Sequence, residues 1–165
     1  MAFPCIVLLS DFGIAGAAAL TGVCKSVNPE LLVYELTHDV PRFDIGAASA
    51  ILSDQLSGWP EGTVFVCALD PYFSSDQRVL ACRTKDGYIA IGADNGYLAD
   101  VMRQHGFSEL RALTELNQRY LGQEPSAVPH GRNLAYCAAC IASGTPSFER
   151  SGALCDAPEL PQKNG

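Results

Sequence analysis

The 165-residue sequence predicts a three-layer α/β/α domain with a mostly parallel central sheet. Short apolar runs of strand length alternate along the chain with segments of helical periodicity. Two of these runs, residues 5–10 and 63–69, are apolar almost throughout, which is typical of strands covered on both faces. The composition is 48% hydrophobic and 18% charged, which favours a sizeable core and argues against a disordered chain.

The first half of the sequence predicts strands and helices in alternation. Residues 5–10 predict a buried strand, and residues 17–27 a helix that ends ahead of Pro29, because the residue before a proline disfavours the helical conformation. Residues 31–36 predict a second strand. Asp44 can cap a helix that runs to about residue 57.

The second half predicts a third strand, a hairpin and two more helices. The hairpin is indicated by two apolar runs around a Lys-Asp-Gly turn. From residue 145 onward the chain is rich in proline and polar residues, so we expect a domain over residues 1–144 and an exposed tail or linker over 145–165. The predicted elements are strand 63–69, hairpin strands 79–83 and 88–92, helix 97–104, strand 110–113 and helix 134–142.

Charge and cysteine content narrow the class of protein. The net charge of −7 is unlike that of a nucleic-acid-binding domain, which normally carries a basic patch. No apolar run is long enough to span a membrane, and no basic stretch precedes the first apolar run as in a signal peptide. The seven cysteines are an odd number and mostly lie in apolar runs, so we expect free thiols in a cytoplasmic protein.

Two cysteines have the spacing of a redox motif. Cys137 and Cys140 lie in an alanine-rich segment that predicts the middle of a helix, whereas a reactive pair needs its first cysteine exposed at a helix N-terminus. Packing is therefore favoured over redox chemistry. No second ligand pair has the spacing of a zinc site, so no metal is expected.

Polar residues follow several of the predicted strands. Asp11 follows the first strand, His38 the second, Asp70 the third, and Asp94 with Asn95 the strand that ends at residue 92. Ligands of open α/β sheets bind beyond the carboxyl ends of the strands, so these residues can line one crevice. Each one alone is as readily explained as a turn former or helix cap.

A series of short motifs resembles the S-adenosyl-L-methionine hydroxide adenosyltransferases, enzymes related to the fluorinases and chlorinases. The motifs keep family order and spacing from about residue 8 to residue 144. They are Ser10-Asp11-Phe12-Gly13, Gly22 to Pro29, Leu36-Thr37-His38-Asp39-Val40-Pro41, Trp59-Pro60-Glu61-Gly62-Thr63-Val64, Leu69-Asp70-Pro71, Ala93-Asp94-Asn95-Gly96 and Pro129-His130-Gly131-Arg132-Asn133.

The resemblance implies displacement at the ribose C5′ of S-adenosylmethionine by water, giving adenosine and methionine. It assigns the positioning and activation of the water to Asp70 and His130, together with an arginine, and the grip on the ribose diol to Asp11. Asp94 and Asn95 would line the same substrate site. S-adenosylmethionine enters as a substrate, and no cofactor is implied. The family works as a homotrimer with its sites between subunits.

The sequence departs from the family pattern at several positions. Counting along the motif places Gln77 where the family has its water-positioning arginine, and Arg78, our candidate for that role, comes one residue later. An acidic and an aromatic substrate-contacting residue of the family fall on Gly16 and Ala18. The acid of the His-Gly-Arg-Asp motif is replaced by Asn133.

The family's C-terminal β-barrel domain, which supplies much of the adenine pocket, is absent from these 165 residues. Two principal hypotheses follow. The chain is a S-adenosylmethionine hydrolase domain, completed within an oligomer or by a separate chain that supplies the second domain. Alternatively, it is a catalytically degenerate homologue that binds nucleosides weakly or serves a structural role. A third hypothesis is an enzyme for a different nucleoside, in which Tyr72 and Phe73 fill space left by the family's glycines.

Overall fold

The computed structural model describes residues 3–69, 78–123 and 131–156. Two 3-10 turns, Leu56–Gly58 and Phe148–Arg150, supplement the regular elements of this part. In chain order the elements are β1 (Ile6–Ser10), α1 (Gly13–Val27), β2 (Val33–Thr37), α2 (Ile45–Gln55), β3 (Val64–Ala68), β4 (Val79–Thr84), β5 (Ile89–Ala93), α3 (Tyr97–His105), β6 (Phe107–Ala112), α4 (Thr114–Gln123), α5 (Arg132–Ser143) and β7 (Ala153–Leu154).

The strands form a 7-stranded sheet in the order β2-β1-β3-β5-β4-β6-β7. Strands β2, β1, β3 and β5 run parallel to one another, while the pairs β5–β4, β4–β6 and β6–β7 are antiparallel. The predicted α/β fold with a parallel sheet at its core is therefore confirmed. The predicted hairpin corresponds to β4 and β5.

Helices cover both faces of the sheet and divide the core into two clusters. Along β1, Ile6 and Leu8 pack with α1, α4 and α5, whereas Val7 and Leu9 pack with α2 and α3. This alternation follows from the two-residue period of a strand. Because each buried aliphatic side chain contributes roughly 1.5–3 kcal/mol, a strand that is apolar on both faces stabilises both layers.

The helices begin and end close to the expected residues, with one helix missed. The Asp44 carboxylate accepts a hydrogen bond from the Ala47 N–H at 2.9 Å and so caps α2 as expected. Helix α1 begins four residues earlier than predicted, at Gly13. Helix α4 was not predicted, although Leu116 and Tyr120, four residues apart, are its buried face.

The exposed tail expected from residue 145 is wrong for residues 145–156. Phe148 is buried, and the guanidinium groups of Arg83 and Arg111 lie 4.4 and 5.5 Å from its ring centroid. Strand β7 then pairs with β6 at the edge of the sheet. The proline and serine content of the segment is typical of a linker, but the segment packs against side chains that are distant in sequence.

Among the helices of the described ranges, none combines the length and apolar character needed to cross a bilayer.

Candidate functional site

The parallel strands bring several of the predicted site residues to one edge of the sheet. Asp11 follows β1, His38 follows β2 and Asp94 follows β5. The register pairs Ser10 with Ala68 and Cys67 with Gly92. Asp11 and Asp94 are therefore at the same level of the sheet, one on each side of β3. Two strand spacings separate their backbones by roughly 10 Å, a span that a small ligand can bridge.

Asp11 is buried and held in one orientation by the loop that follows β2. One of its carboxylate oxygens accepts a hydrogen bond from the Phe43 backbone N–H at 3.0 Å. Phe43 has a φ of +67°, which is unusual for a residue other than glycine, and the Arg42 guanidinium lies 5.3 Å from its ring centroid. Backbone strain of this kind clusters at ligand sites, where the surrounding structure must enforce it.

Beside Asp11, a buried hydrogen bond links β1 to the end of β2. The Ser10 hydroxyl accepts a hydrogen bond from the Phe12 N–H at 3.3 Å and lies 2.6 Å from His38 Nδ1. The direction of this second hydrogen bond is set by the tautomer of His38, because a hydroxyl can either donate to Nδ1 or accept from Nδ1–H. Burial lowers the pKa of His38 against the opposing effect of Glu35 and Asp39, which favours the neutral ring.

These residues surround an open cleft of about 550 Å³. That volume lies within the usual range for small-molecule sites. Ile14 and Phe43, each next in sequence to a residue that lines the cleft, are 86% and 50% exposed. The lining residues are Asp11, Phe12, Gly13, His38, Asp39, Val40, Pro41 and Arg42.

Arg78 and Asp94 form an ion pair across the β4–β5 hairpin. Arg78 Nε and Nη2 donate to the same carboxylate oxygen of Asp94, at 3.2 and 2.9 Å. The other carboxylate oxygen is buried and has no hydrogen-bond partner within the described residues. The guanidinium predicted to position water is therefore directed at a carboxylate predicted to bind substrate.

Asn95 has a structural role. Its side-chain oxygen accepts a hydrogen bond from the Tyr97 N–H at 3.2 Å and so helps to start α3. This is a turn-forming hydrogen bond, one of the two structural roles that the sequence left open for polar residues after strands.

The predicted catalytic residues Asp70 and His130, together with Gln77, Tyr72 and Phe73, lie outside the described residues. Gly131 is described and begins α5 with a φ of +81°. A Cβ atom at this glycine would lie 2.7 Å from the Ala68 Cβ and 2.8 Å from the Phe12 ring. The start of α5 is thus packed against the carboxyl end of β3, at the same sheet edge as Asp11.

Sequence reasoning missed a buried amide pair behind this edge. The Asn133 amide donates to the Asn117 side-chain oxygen at 2.7 Å, and both residues are buried. The pair joins the first turn of α5 to α4. The contact could not be predicted from the sequence, because the helix that carries Asn117 was not predicted.

The cysteines support packing rather than redox chemistry. All seven are free, and burial raises the pKa of Cys137 and Cys140 in α5. A thiol with a raised pKa is a poor nucleophile at neutral pH. Within the described part of the chain, no three His, Cys, Asp or Glu residues are grouped so that they could hold a metal ion.

A family profile and individual relatives of known sequence indicate the same family for this chain. The profile of the SAM hydroxide adenosyltransferase N-terminal domain matches residues 6–152. The chain is 35% identical over 155 residues to an (R)-S-adenosyl-L-methionine hydrolase of Salinispora tropica, covering 92% of this chain and 58% of the relative. It is 26% identical over 178 residues to a fluorinase of an Actinoplanes species, covering 93% and 59% of the two chains.

Among solved structures, an uncharacterized conserved protein from Thermotoga maritima has the same fold. It superposes with a TM-score of 0.85 at 28% identity, over 97% of this chain and 62% of that one. The chain thus spans about three fifths of the length of these relatives.

Proposed function

The chain belongs to the SAM hydroxide adenosyltransferase family through the N-terminal domain that it matches, and we propose that it forms that part of an S-adenosylmethionine hydrolase. The proposed reaction converts S-adenosylmethionine and water to adenosine and methionine. The observation that carries the proposal is the buried Asp11 carboxylate, fixed by the Phe43 N–H at the sheet edge that also ends in Asp94.

The proposed chemistry is a single displacement at the ribose C5′. The water oxygen forms a bond to C5′ while the C5′–S bond breaks, and the electron pair passes to sulfur, leaving methionine as a neutral thioether. The water gives up its proton as the bond forms. Because the sulfonium is already a good leaving group, the protein chiefly has to hold water and ribose in line.

In this proposal Asp11 accepts hydrogen bonds from the two ribose hydroxyls, since a carboxylate offers two acceptor oxygens to neighbouring O–H donors. Asp70 and His130 orient the water and take its proton. Arg78 acts as a positioning residue: its two hydrogen bonds hold the Asp94 carboxylate in a fixed orientation at the rim of the site.

We propose that neighbouring copies in a homotrimer complete the site sufficiently for turnover, and that a second domain supplied by a separate chain would enclose the adenine further. The exposed side chains of Ile14 and Phe43, each next in sequence to a residue that lines the cleft, support a covering partner, because exposed apolar surface favours association. The seven free cysteines support a reducing, cytoplasmic location.

The test is product formation by the purified 165-residue chain incubated with S-adenosylmethionine, followed by chromatography. We expect adenosine and methionine in equal amounts. Loss of a charge-assisted hydrogen bond costs roughly 1.5–3 kcal/mol, so Asp11→Asn should lower kcat/KM about 10- to 150-fold. Asp54→Asn, the same change at an exposed position of α2, should leave the rate unchanged.

Two further variants test the residues assigned to the water. His130→Ala and Asp70→Ala should lose turnover while still binding adenosine. Adenosine formation at the normal rate by either variant would remove that residue from the mechanism.

The second candidate function is a degenerate nucleoside-binding or structural homologue that depends on a partner. It is favoured by the replacement of the family's acid with Asn133, whose amide is committed to Asn117 in the core. This candidate predicts no product even at high protein concentration, with weak adenosine binding that Asp11→Asn removes. Product that disappears in the Asp11 and His130 variants would exclude it.

A further inference from the structure

A second cleft, of about 680 Å³, lies on the outer surface of the helical layer formed by α1, α4 and α5. It shares no lining residue with the cleft at the sheet edge. Helix α1 directs Leu20 and Cys24 toward the sheet, so the residues it gives to this cleft lie on another face. The side chains that matter here are Val23, Val27, Arg119, Tyr120, Arg132 and Tyr136.

One wall of this cleft is apolar and aromatic. Val23 and Val27 are partly buried against the core, so their remaining surface is open to the cleft. The rings of Tyr120 and Tyr136 stack with centroids 5.2 Å apart and an interplanar angle of 32°. Such a wall offers van der Waals contact to a flat or aliphatic ligand.

The charged residues that line the cleft are both arginines, in a chain of net charge −7. Within the described residues, neither Arg119 nor Arg132 forms an ion pair with a carboxylate. Arg132 Nε is buried without a hydrogen-bond partner in that part of the chain. Arg119 is within hydrogen-bonding reach of the Tyr136 hydroxyl, and it opposes the rise in that hydroxyl's pKa that burial causes.

An arginine donor that is removed from water without an acceptor costs free energy, which a bound anion would recover. The planar guanidinium presents paired donors that match the oxygens of a carboxylate or a phosphate. The volume is that of a typical small-molecule site.

We propose that this cleft binds a small organic anion, whose carboxylate or phosphate group contacts Arg119 and Arg132 and whose apolar body packs on Val23, Val27 and the tyrosine pair. The site is separate from the proposed S-adenosylmethionine site and does not depend on that activity.

The test is calorimetric titration of the full 165-residue chain with phenyl phosphate, benzoate, inorganic phosphate and benzyl alcohol. We expect saturable binding of phenyl phosphate or benzoate, with the preferred one identifying the anionic group. Inorganic phosphate, which lacks the apolar body, and benzyl alcohol, which lacks the charge, should each bind at least about tenfold more weakly.

Variants locate the binding. Arg119→Gln and Arg132→Gln should each weaken the preferred probe about tenfold or more, since each removes a charged donor pair. Arg103→Gln, on α3 at the opposite face of the sheet, and Asp11→Asn, in the other cleft, should leave the affinity unchanged. Arg119 is exposed, so its variant carries the test if Arg132→Gln fails to fold.

Any of the following results would overturn the proposal. One is the absence of saturable binding by either organic anion. Another is unchanged affinity in Arg119→Gln, or loss of binding in Asp11→Asn, which would put the probe in the other cleft. A further one is a change in oligomer mass in the arginine variants with no change in probe affinity, which would make this surface a contact between protein copies.

Discussion

The Asn117–Asn133 pair offers a sharp test of how the start of α5 is held in place. The Asn133 side chain is wholly buried and donates to the Asn117 side-chain oxygen at 2.7 Å. Replacing either residue with alanine removes the hydrogen bond and leaves the other amide buried with an unsatisfied group. The second Asn133 polar atom, Oδ1, has no partner within the described residues, so this hydrogen bond is the main compensation for burying the amide.

The expected magnitude follows from these contacts. A neutral hydrogen bond contributes about 1 kcal/mol net, and an unsatisfied buried partner costs about 1–3 kcal/mol. We therefore expect Asn133→Ala and Asn117→Ala each to lower the free energy of unfolding by about 2–3 kcal/mol. For a chain of this size that corresponds to a fall in Tm of about 4–12 °C. The double variant should lose about 1–2 kcal/mol less than the sum, because neither amide is then left unpaired.

Urea unfolding of the two single variants and the double variant measures this coupling. Asn28→Ala is the matched control. Its amide donates to Ser143 Oγ at 3.2 Å in a partly exposed setting, and its oxygen accepts from the exposed Glu30 N–H at 3.0 Å, so water can replace both partners and the cost should be no more than about 1 kcal/mol. Additivity of the two single effects to within about 0.5 kcal/mol would refute the assignment of this pair as an interacting unit.

Three other properties should follow from the structure. Burial lowers the pKa of His38 in the folded state, so its contribution to the free energy of unfolding should be complete above about pH 6.5 and be lost as the pH falls toward the folded pKa. The urea midpoint of His38→Asn should therefore depend less on pH in that range than the midpoint of the unaltered chain, and an equal dependence in the two proteins would exclude His38 as the cause. Phe148→Ala should cost about 3–5 kcal/mol in urea unfolding, whereas a cost near zero would mean that residues 145–156 form a loose tail after all. Native-state labelling with a thiol reagent should modify Cys155 well before Cys137 or Cys140, and simultaneous labelling would contradict their burial.

The sequence was most informative where structure depends on local pattern. Strands β1 and β3 were predictable because their apolar runs have strand length and no helical period. Asp44 was predicted as a helix cap because an aspartate at the start of a helix can accept a hydrogen bond from the backbone N–H three residues later, here that of Ala47. Phe148 was missed because its environment is made by Arg83 and Arg111, and composition gives no hint of contacts so distant in the chain.

The candidate site divides in the same way. Asp11 and Asp94 were predictable because the carboxyl ends of parallel strands share an edge of the sheet. The direction of the Arg78 side chain was not predictable. Counting residues along a strand gives the position of Arg78, but it cannot show that Arg78 donates hydrogen bonds to Asp94, 16 residues away. The contact between the Phe43 N–H and Asp11 likewise depends on a positive φ that no phenylalanine pattern indicates.

The two departures from the family pattern at Gly16 and Asn133 are built into the packing. A Cβ atom at Gly16 would overlap the Phe12 Cβ, and the ring of Phe12 in turn packs against Gly131 at the start of α5. An acid at Gly16 therefore requires Phe12 to move, and an acid in place of Asn133 would bury a carboxylate against the Asn117 oxygen unless that amide turned over. Restoring either family residue alone would therefore disturb this packing. The proposed activity must come from a site that works with Gly16 and Asn133 in place.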